Sequence, residues 1–139
     1  MVENTCQTSE EKQILYWELK TGAETGWDYS SRWFINNKSD LNFVENESSL
    51  KDTKPRSIIP VELNSILAEN ARIISKYYKD YFNDEKTSLK YKKISDNIIQ
   101  GIESLLWDET EGVWFDYDLI HEKRRQHFTP RQDFYSIVK

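Results

Sequence analysis

Two consecutive stretches of helical periodicity constrain the fold of this chain more than any other feature. The first runs from about Pro60 to Phe82, and Pro60 suits the first position of a helix. The second runs from about Glu85 to Trp107, directly after Asn83-Asp84, which can cap it. Apolar residues recur three and four apart in both stretches, which predicts two amphipathic helices joined by a short turn. The apolar positions are Leu63, Ile66, Leu67, Ala71, Ile74, Tyr77, Tyr78 and Tyr81 in the first, and Tyr91, Ile94, Ile98, Ile102, Leu105 and Leu106 in the second.

A shorter helix is predicted near the N-terminus, from about Ser9 to Lys20. Thr8 and Glu11 have the spacing of a capping box, in which each side chain bonds to the other residue's backbone amide. Gly22 is predicted to end this helix. Its apolar stripe consists of Ile14, Leu15 and Leu19.

The C-terminal third has the pattern of a short β-hairpin. Asp108 to Gly112 is rich in turn-forming residues, and Val113 to Leu119 alternates enough to suggest a strand. Gln126 to Thr129 is expected to pair with that strand across a basic turn. Three helices and a short hairpin place the chain in the all-α class.

Composition favours a sugar-binding or packed aromatic surface over several other classes of function. The chain has five Trp, eight Tyr and six Phe, and its net charge is −5. The one short basic cluster, Lys123-Arg124-Arg125, is expected to be a solvated turn, so we predict no nucleic-acid partner. Cys6 is the only cysteine, and His121 and His127 are poorly spaced for a shared metal. We therefore predict neither a metal site nor a cofactor.

The sequence leaves the cellular location of the parent protein open. It has no apolar run long enough to span a bilayer and no N-terminal region that resembles a signal peptide. Two N-glycosylation patterns, Asn37-Lys38-Ser39 and Asn46-Glu47-Ser48, lie in a polar stretch and would suit a secreted protein. A secreted parent and a membrane-anchored extracellular parent are both compatible with these features.

The segment from Gly26 to Trp33 contains the residue types that glycoside hydrolysis requires. That reaction uses a carboxylic acid to protonate the leaving oxygen, a second carboxylate, and often an aromatic wall. Asp28 offers the carboxyl group, Trp27 and Trp33 offer aromatic rings, and Arg32 offers a cation. The same residues also allow a simpler interpretation, an Asp28–Arg32 surface pair beside tryptophans that pack in a core.

Three ordered blocks of the sequence resemble the α,α-trehalases of glycoside hydrolase family 37. The blocks are Glu24 to Phe34, Ile58 to Asn64 and Leu106 to Leu119, and the resemblance covers about Glu18 to Phe128. Members of this family are inverting glycosidases with an (α/α)6 barrel, and they hydrolyse α,α-trehalose to glucose. The resemblance therefore implies trehalose as the small-molecule partner.

Carried over residue by residue, the resemblance assigns Asp28 as the catalytic proton donor. Gly26, Trp27 and Arg32 are then expected to line the substrate site, with Arg32 in a supporting role beside the acid. Asn64 is expected either to bond nearby backbone at a helix start or to help shape the pocket. Asp116 and Asp118 are expected to serve packing and turn formation. Composition also allows either of them as the second catalytic carboxylate, but the resemblance implies that the base lies elsewhere.

The resemblance also implies that residues 1–139 form only part of a trehalase catalytic domain. The family's base glutamate lies beyond a Gln-Trp-Asp signature, and neither that signature nor the N-terminal Pro-Gly-Gly-Arg-Phe block occurs here. The tail after Pro130 departs from the family pattern. We therefore expect this chain to be catalytically silent by itself, with apolar helix faces left exposed. The alternative is an inactive helical interaction module derived from a trehalase.

Overall fold

A computed structural model of the chain describes residues 8–28, 30–35 and 52–126. These residues belong to two compact units, the first drawn from Met1–Ile58 with Leu119–His121 and the second from Ile59–Asp118 with Glu122–Lys139. The predictions for Cys6, His127, both glycosylation patterns and the tail after Pro130 lie outside the described residues.

The first unit is built on helix α1, which spans Ser9–Glu24. The predicted capping box is confirmed, because Thr8 Oγ1 accepts a hydrogen bond from the Glu11 amide at 3.1 Å and the Thr8 amide donates to Glu11 Oε2 at 3.1 Å. The helix continues through Gly22 and ends before Gly26, which has a φ of 77°. Only glycine adopts that left-handed conformation without strain, so Gly26 and not Gly22 provides the stop signal.

The buried face of α1 differs from the predicted apolar stripe. Its buried residues are Leu15, Glu18 and Gly22, whereas Ile14 is 40% exposed. This face contacts a short 3-10 turn at Pro55–Ser57. Glu18 Oε2 accepts a hydrogen bond from the Arg56 amide at 3.1 Å, so a carboxylate on the buried face satisfies the backbone of that turn.

The second unit contains helices α2, Val61–Asp80, and α3, Glu85–Leu105. Both bounds lie within two residues of the predicted ones. Asp84 caps α3 as expected, since its carboxylate accepts a hydrogen bond from the Thr87 amide at 2.9 Å. The turn between the helices is closed by Asn83, which adopts a φ of 50°.

The start of α2 is capped by a residue far away in the sequence. The Val61 amide donates to Asp116 Oδ1 at 3.0 Å, and both residues are buried. Asn64 Nδ2 donates to the Pro60 carbonyl at 2.7 Å. Of the two roles left open for Asn64, this contact supports the bonding of nearby backbone. Pro60 precedes the helix as its N-cap residue and is not its first helical residue.

Small residues line the contact between α2 and α3. Ser95 Oγ donates to the Ala68 carbonyl at 2.8 Å, and Ser75 Oγ donates to the Ser88 carbonyl at 2.8 Å. Hydrogen bonds from these short side chains join the two helices, and the rings of Tyr78 and Tyr91 stack across the contact with their centroids 6.0 Å apart. Several other residues of the predicted stripes are exposed, as expected for apolar faces left without neighbours, among them Leu67, Tyr77, Tyr81, Ile94 and Leu105.

The core of the second unit lies at the end of the helical pair where α2 begins and α3 finishes. Val61, Ile102 and Leu106 form a buried cluster, each at most 2% exposed. Burial of such side chains stabilises a fold by about 1.5–3 kcal/mol each. Partly buried apolar residues complete the cluster, namely Ile59, Ile98, Ile99, Trp114 and Tyr117.

Five two-residue strands occur in the part of the chain that the structure describes. They are β1 (Ile58–Ile59), β2 (Trp107–Asp108), β3 (Val113–Trp114), β4 (Tyr117–Asp118) and β5 (Lys123–Arg124). Antiparallel pairing joins β2 to β3 and β4 to β5. The single predicted hairpin is therefore two successive short hairpins.

The second hairpin corrects two details of the sequence prediction. The partner of β4 in this hairpin is Lys123–Arg124. Of the predicted partner segment Gln126 to Thr129, Gln126 lies outside any strand and the other residues lie outside the described part of the chain. The basic cluster is accordingly no simple solvated turn, because Arg124 Nη1 donates to the Trp107 carbonyl at 2.9 Å and its Nε lies 3.4 Å from Asp108 Oδ2. Arg124 thus links the two hairpins within the second unit.

The predicted fold class is confirmed. The described residues form three α-helices with short antiparallel hairpins, an arrangement consistent with a segment of a helical barrel. Among these residues, no helix combines the length and the apolar character needed to cross a bilayer.

Candidate functional site

Asp28 lies on a hydrogen-bonded turn immediately after α1. The Ser30 amide donates to the Trp27 carbonyl at 3.1 Å, and the Trp33 amide donates in turn to the Ser30 carbonyl at 3.2 Å. The second bond begins a short 3-10 turn at Ser31–Trp33. The Asp28 side chain is exposed on this turn, so its carboxyl group is accessible to a ligand from solution.

The backbone of Trp27, directly before Asp28, is bonded on both sides. Its amide donates to Thr25 Oγ1 at 3.1 Å, and that hydroxyl donates to the Gly22 carbonyl at 2.6 Å. Its carbonyl accepts from the Trp33 indole Nε1 at 2.7 Å in addition to the Ser30 amide. The bonds to the carbonyl restrict the peptide group that joins Trp27 to Asp28, and the bond from the amide restricts the peptide group before it.

Arg32 lies against both tryptophans of the segment. Its guanidinium carbon is 5.6 Å from the centroid of the Trp27 ring and 5.3 Å from that of the Trp33 ring. Both distances are within the range of a cation–π contact. Arg32 is 4% exposed and Trp33 is 1% exposed, whereas Trp27 is only half-buried. The cation therefore helps to hold two rings of which one still reaches the surface.

A second segment of the first unit pairs with the backbone that follows Trp33. The Lys54 amide donates to the Trp33 carbonyl at 2.7 Å, and Phe34 forms an antiparallel bridge with Thr53. The segment continues into the turn at Pro55–Ser57, which contacts α1. The Asp28 turn is thus fixed at its C-terminal side by this pairing and at its N-terminal side by the end of α1.

The structure brings the four predicted site residues together within the first unit. Asp28 and Gly26 are exposed, Trp27 is half-buried and Arg32 is buried against the rings. This placement suits the supporting role expected of Arg32. Trp33, which the sequence suggested as an aromatic wall, is instead a core residue of the unit.

Sequence reasoning missed two residues that hold the turn, Thr25 and Trp33. A signal existed for Thr25, because a threonine hydroxyl often accepts a bond from the amide two residues further along the chain. No local pattern reveals the bond from the Trp33 indole. A buried tryptophan usually finds an acceptor for its N–H group, but the sequence does not say which one.

The other carboxylates that sequence analysis considered belong to the second unit and are buried. Asp116 is 2% exposed and caps α2, while Asp118 is 4% exposed and lies in β4. These positions agree with the expected roles in packing and turn formation. Among the residues described, no three His, Cys, Asp or Glu side chains cluster closely enough to bind a metal ion.

An exposed carboxyl group and an aromatic ring on a helical scaffold are two of the elements that glycoside hydrolases use. The family model for trehalase matches residues 1–135, so the chain belongs to the trehalase family. A trehalase of Apis mellifera is 37% identical over all of this chain, which covers 22% of that protein. A trehalase of Homo sapiens is 36% identical over 86% of the chain and 19% of its own length.

More distant relatives support the same assignment. A periplasmic trehalase of Escherichia coli is 31% identical over 83% of this chain, which covers 18% of that protein. The chain spans about a fifth of the length of the curated relatives that it matches.

Proposed function

We propose that this chain supplies the general acid of a site that hydrolyses α,α-trehalose, with Asp28 as the proton donor. The observation that carries the proposal is the exposed Asp28 carboxyl group, held on a bonded turn beside Trp27, in a chain of the trehalase family. In this role Asp28 protonates the oxygen of the glycosidic bond while a water molecule attacks the anomeric carbon from the opposite face.

The base that activates this water is expected outside these 139 residues. An inverting mechanism places the two carboxyl groups about 6.5–9.5 Å apart, with the water between the base and the sugar. Asp116 and Asp118 are buried in the second unit, where Asp116 caps α2. We therefore propose that the chain is a partial catalytic domain whose site is completed by further protein.

The exposure of Asp28 also supports a site that is completed by further protein. A general acid has to carry its proton at the working pH, and an environment less polar than water favours the protonated carboxyl group. In this chain the Asp28 side chain is open to solvent. Bound sugar together with further protein is therefore needed to exclude water from the carboxyl group.

Gly26, Trp27 and Arg32 are proposed to shape the sugar site around the acid. No atom lies within 4 Å of the position that a Cβ would take at Gly26, so a ligand can approach its backbone. Trp27 offers a ring face for a pyranose, and Arg32 holds that ring from behind. In this arrangement Arg32 acts on the sugar site through Trp27.

The proposal is tested with the variant Asp28→Asn in the complete enzyme that the proposed function requires. Loss of the general acid should lower kcat for trehalose by about 10²–10⁴-fold. Hydrolysis of α-D-glucosyl fluoride should persist, because fluoride leaves without protonation. The matched control is Asp96→Asn, an exposed aspartate of α3 whose carboxylate bonds to Lys92. Wild-type turnover of trehalose by Asp28→Asn would refute the assignment.

The isolated chain is tested separately. We expect no release of glucose from trehalose by the purified 139-residue protein, because the base is supplied from elsewhere. Turnover comparable to that of an intact trehalase would show that the chain contains a base. If the isolated chain is inactive and the completed enzyme is insensitive to Asp28→Asn, the alternative of a helical interaction module is favoured.

A further inference from the structure

The indole of Trp33 makes a contact that packing alone does not require. Trp33 is 1% exposed, and its Nε1 donates to the Trp27 carbonyl at 2.7 Å. That carbonyl belongs to the planar peptide group whose nitrogen is the amide of Asp28. The same oxygen already accepts a hydrogen bond from the Ser30 amide at 3.1 Å. The indole bond therefore adds a second restraint to a carbonyl that is satisfied without it.

We propose that Trp33 is a positioning residue for Asp28, which rests on the proposed function of Asp28 as the general acid. Rotation of the Trp27–Asp28 peptide group would change the direction in which the Asp28 side chain leaves the backbone. The Trp33 indole opposes this rotation by holding the carbonyl of that peptide group, while Thr25 Oγ1 holds the amide of the preceding peptide group. Two side chains from different places in the chain thus fix the backbone on which the acid is mounted.

Arg32 makes the restraint stiffer. Its guanidinium group lies against the rings of both Trp27 and Trp33, at 5.6 Å and 5.3 Å from their centroids. The Trp33 side chain is also almost completely buried. Neither ring can shift without disturbing the cation, so the indole N–H group keeps its direction towards the Trp27 carbonyl.

A positioning role predicts a specific kinetic pattern for Trp33→Phe. The phenyl ring keeps an apolar side chain in the core but removes the N–H donor. Misplacement of a catalytic group by about 1 Å costs on the order of 10²-fold in rate, so we expect kcat for trehalose to fall by about 10- to 100-fold. KM should stay unchanged, because the contacts that bind the substrate in the ground state are retained.

The second substrate separates positioning from general damage to the fold. Hydrolysis of α-D-glucosyl fluoride does not need the acid, so Trp33→Phe should leave its kcat close to wild type. A loss of activity towards both substrates would show that the phenyl variant damages the site as a whole and would overturn the proposal. Trp107→Phe is the matched control, since its indole Nε1 donates at 2.6 Å to Glu109, an exposed partner in the second unit.

A measurement on the chain itself tests the geometry independently of catalysis. We expect the heteronuclear NOE of the Asp28 amide to fall in Trp33→Phe and to stay unchanged in Trp107→Phe. If the phenyl variant does not fold, Trp33 is replaced by 3-benzothienylalanine, which keeps the bicyclic shape and lacks the N–H group. An Asp28 amide that remains as rigid as in the wild type in the folded variant would overturn the proposal.

The two proposals fail in different ways. If Asp28→Asn retains trehalose turnover, the assignment of the acid is wrong, whatever Trp33 does. If Asp28→Asn abolishes turnover while Trp33→Phe retains the full kcat for trehalose, the acid is correct and the positioning role of Trp33 is refuted.

Discussion

Removal of the Asp116 carboxylate should destabilise the second unit by uncapping α2. The Val61 amide donates to Asp116 Oδ1 at 3.0 Å, and Val61 is 0% exposed. In Asp116→Ala water cannot easily replace the lost acceptor at so buried an amide. A hydrogen bond to a charged group contributes about 1.5–3 kcal/mol, and loss of an N-cap side chain costs about 0.5–2 kcal/mol. These figures describe the same contact, so we expect a total loss of about 2–3 kcal/mol.

Urea denaturation, followed through the backbone amide signals of α2, measures this loss. With a slope of about 2 kcal/mol per molar urea, the midpoint should fall by about 1–1.5 M. The control Asp116→Asn keeps an acceptor oxygen at the same position and should lose less than the alanine variant. Amide hydrogen exchange in the first turn of α2 should accelerate in the alanine variant alone.

One result would refute the reasoning. The Asp116 carboxylate is 2% exposed, and its burial has a desolvation cost that the alanine variant relieves. If Asp116→Ala changed the free energy of unfolding by less than about 0.5 kcal/mol, that relief would equal the lost bond. The carboxylate would then contribute nothing net to the capping of α2.

Two further variants test local features of the helices. Hydrogen bonds from the Thr87 side chain and amide hold the pKa of Asp84 below its ordinary value. The ionised Asp84 carboxylate therefore stabilises the fold above the unfolded-state pKa of about 4. This stabilisation is lost as the pH falls through the lower folded-state pKa. Asparagine can still cap α3 but does not titrate, so in Asp84→Asn the urea midpoint should fall less steeply as the pH is lowered. An unchanged pH dependence of the midpoint would contradict this. Gly26 has a φ of 77° with no atom within 4 Å of an added Cβ, so Gly26→Ala should cost about 1–2 kcal/mol through backbone strain alone. Gly26→Asn should cost less, and equal urea midpoints for glycine and alanine would show that the strain is relieved elsewhere.

Local signals in the sequence predicted the helices well. The capping box at Thr8 and the cap at Asp84 both operate as expected, because each depends only on residues three apart. The stop signal of α1 was assigned to the wrong glycine. Gly22 tolerates a helical conformation, and only the backbone of Gly26 adopts the left-handed conformation that ends the helix.

Side-chain periodicity predicted the helices but not the faces they bury. The apolar faces were expected to be left exposed, and Leu67 and Tyr77 of α2 are indeed exposed. The sequence did not reveal that α2 meets α3 through contacts such as the bond from Ser95 to the Ala68 carbonyl. Periodicity reports which residues share a face and not which face meets the neighbouring helix.

The residues of the candidate site were predictable by type but not by environment. The string from Gly26 to Arg32 indicated the acid and its neighbours, and the structure places them in one unit. The burial of Arg32 between two rings and the indole bond to the Trp27 carbonyl depend on tertiary packing. No spacing rule encodes such contacts, because they join side chains to backbone through the fold of the segment as a whole.

The close contact of α2 with α3 limits which residues the helices can accept in the course of evolution. A methyl group added at Ser95 or Ala68 would have to fit between two backbones whose separation is set by hydroxyl-to-carbonyl bonds of 2.8 Å. The volume available to side chains between α2 and α3 is therefore nearly fixed. Tyr77 and Tyr81 are exposed and lie outside this contact, so their substitution is expected to leave the register of α2 against α3 unchanged.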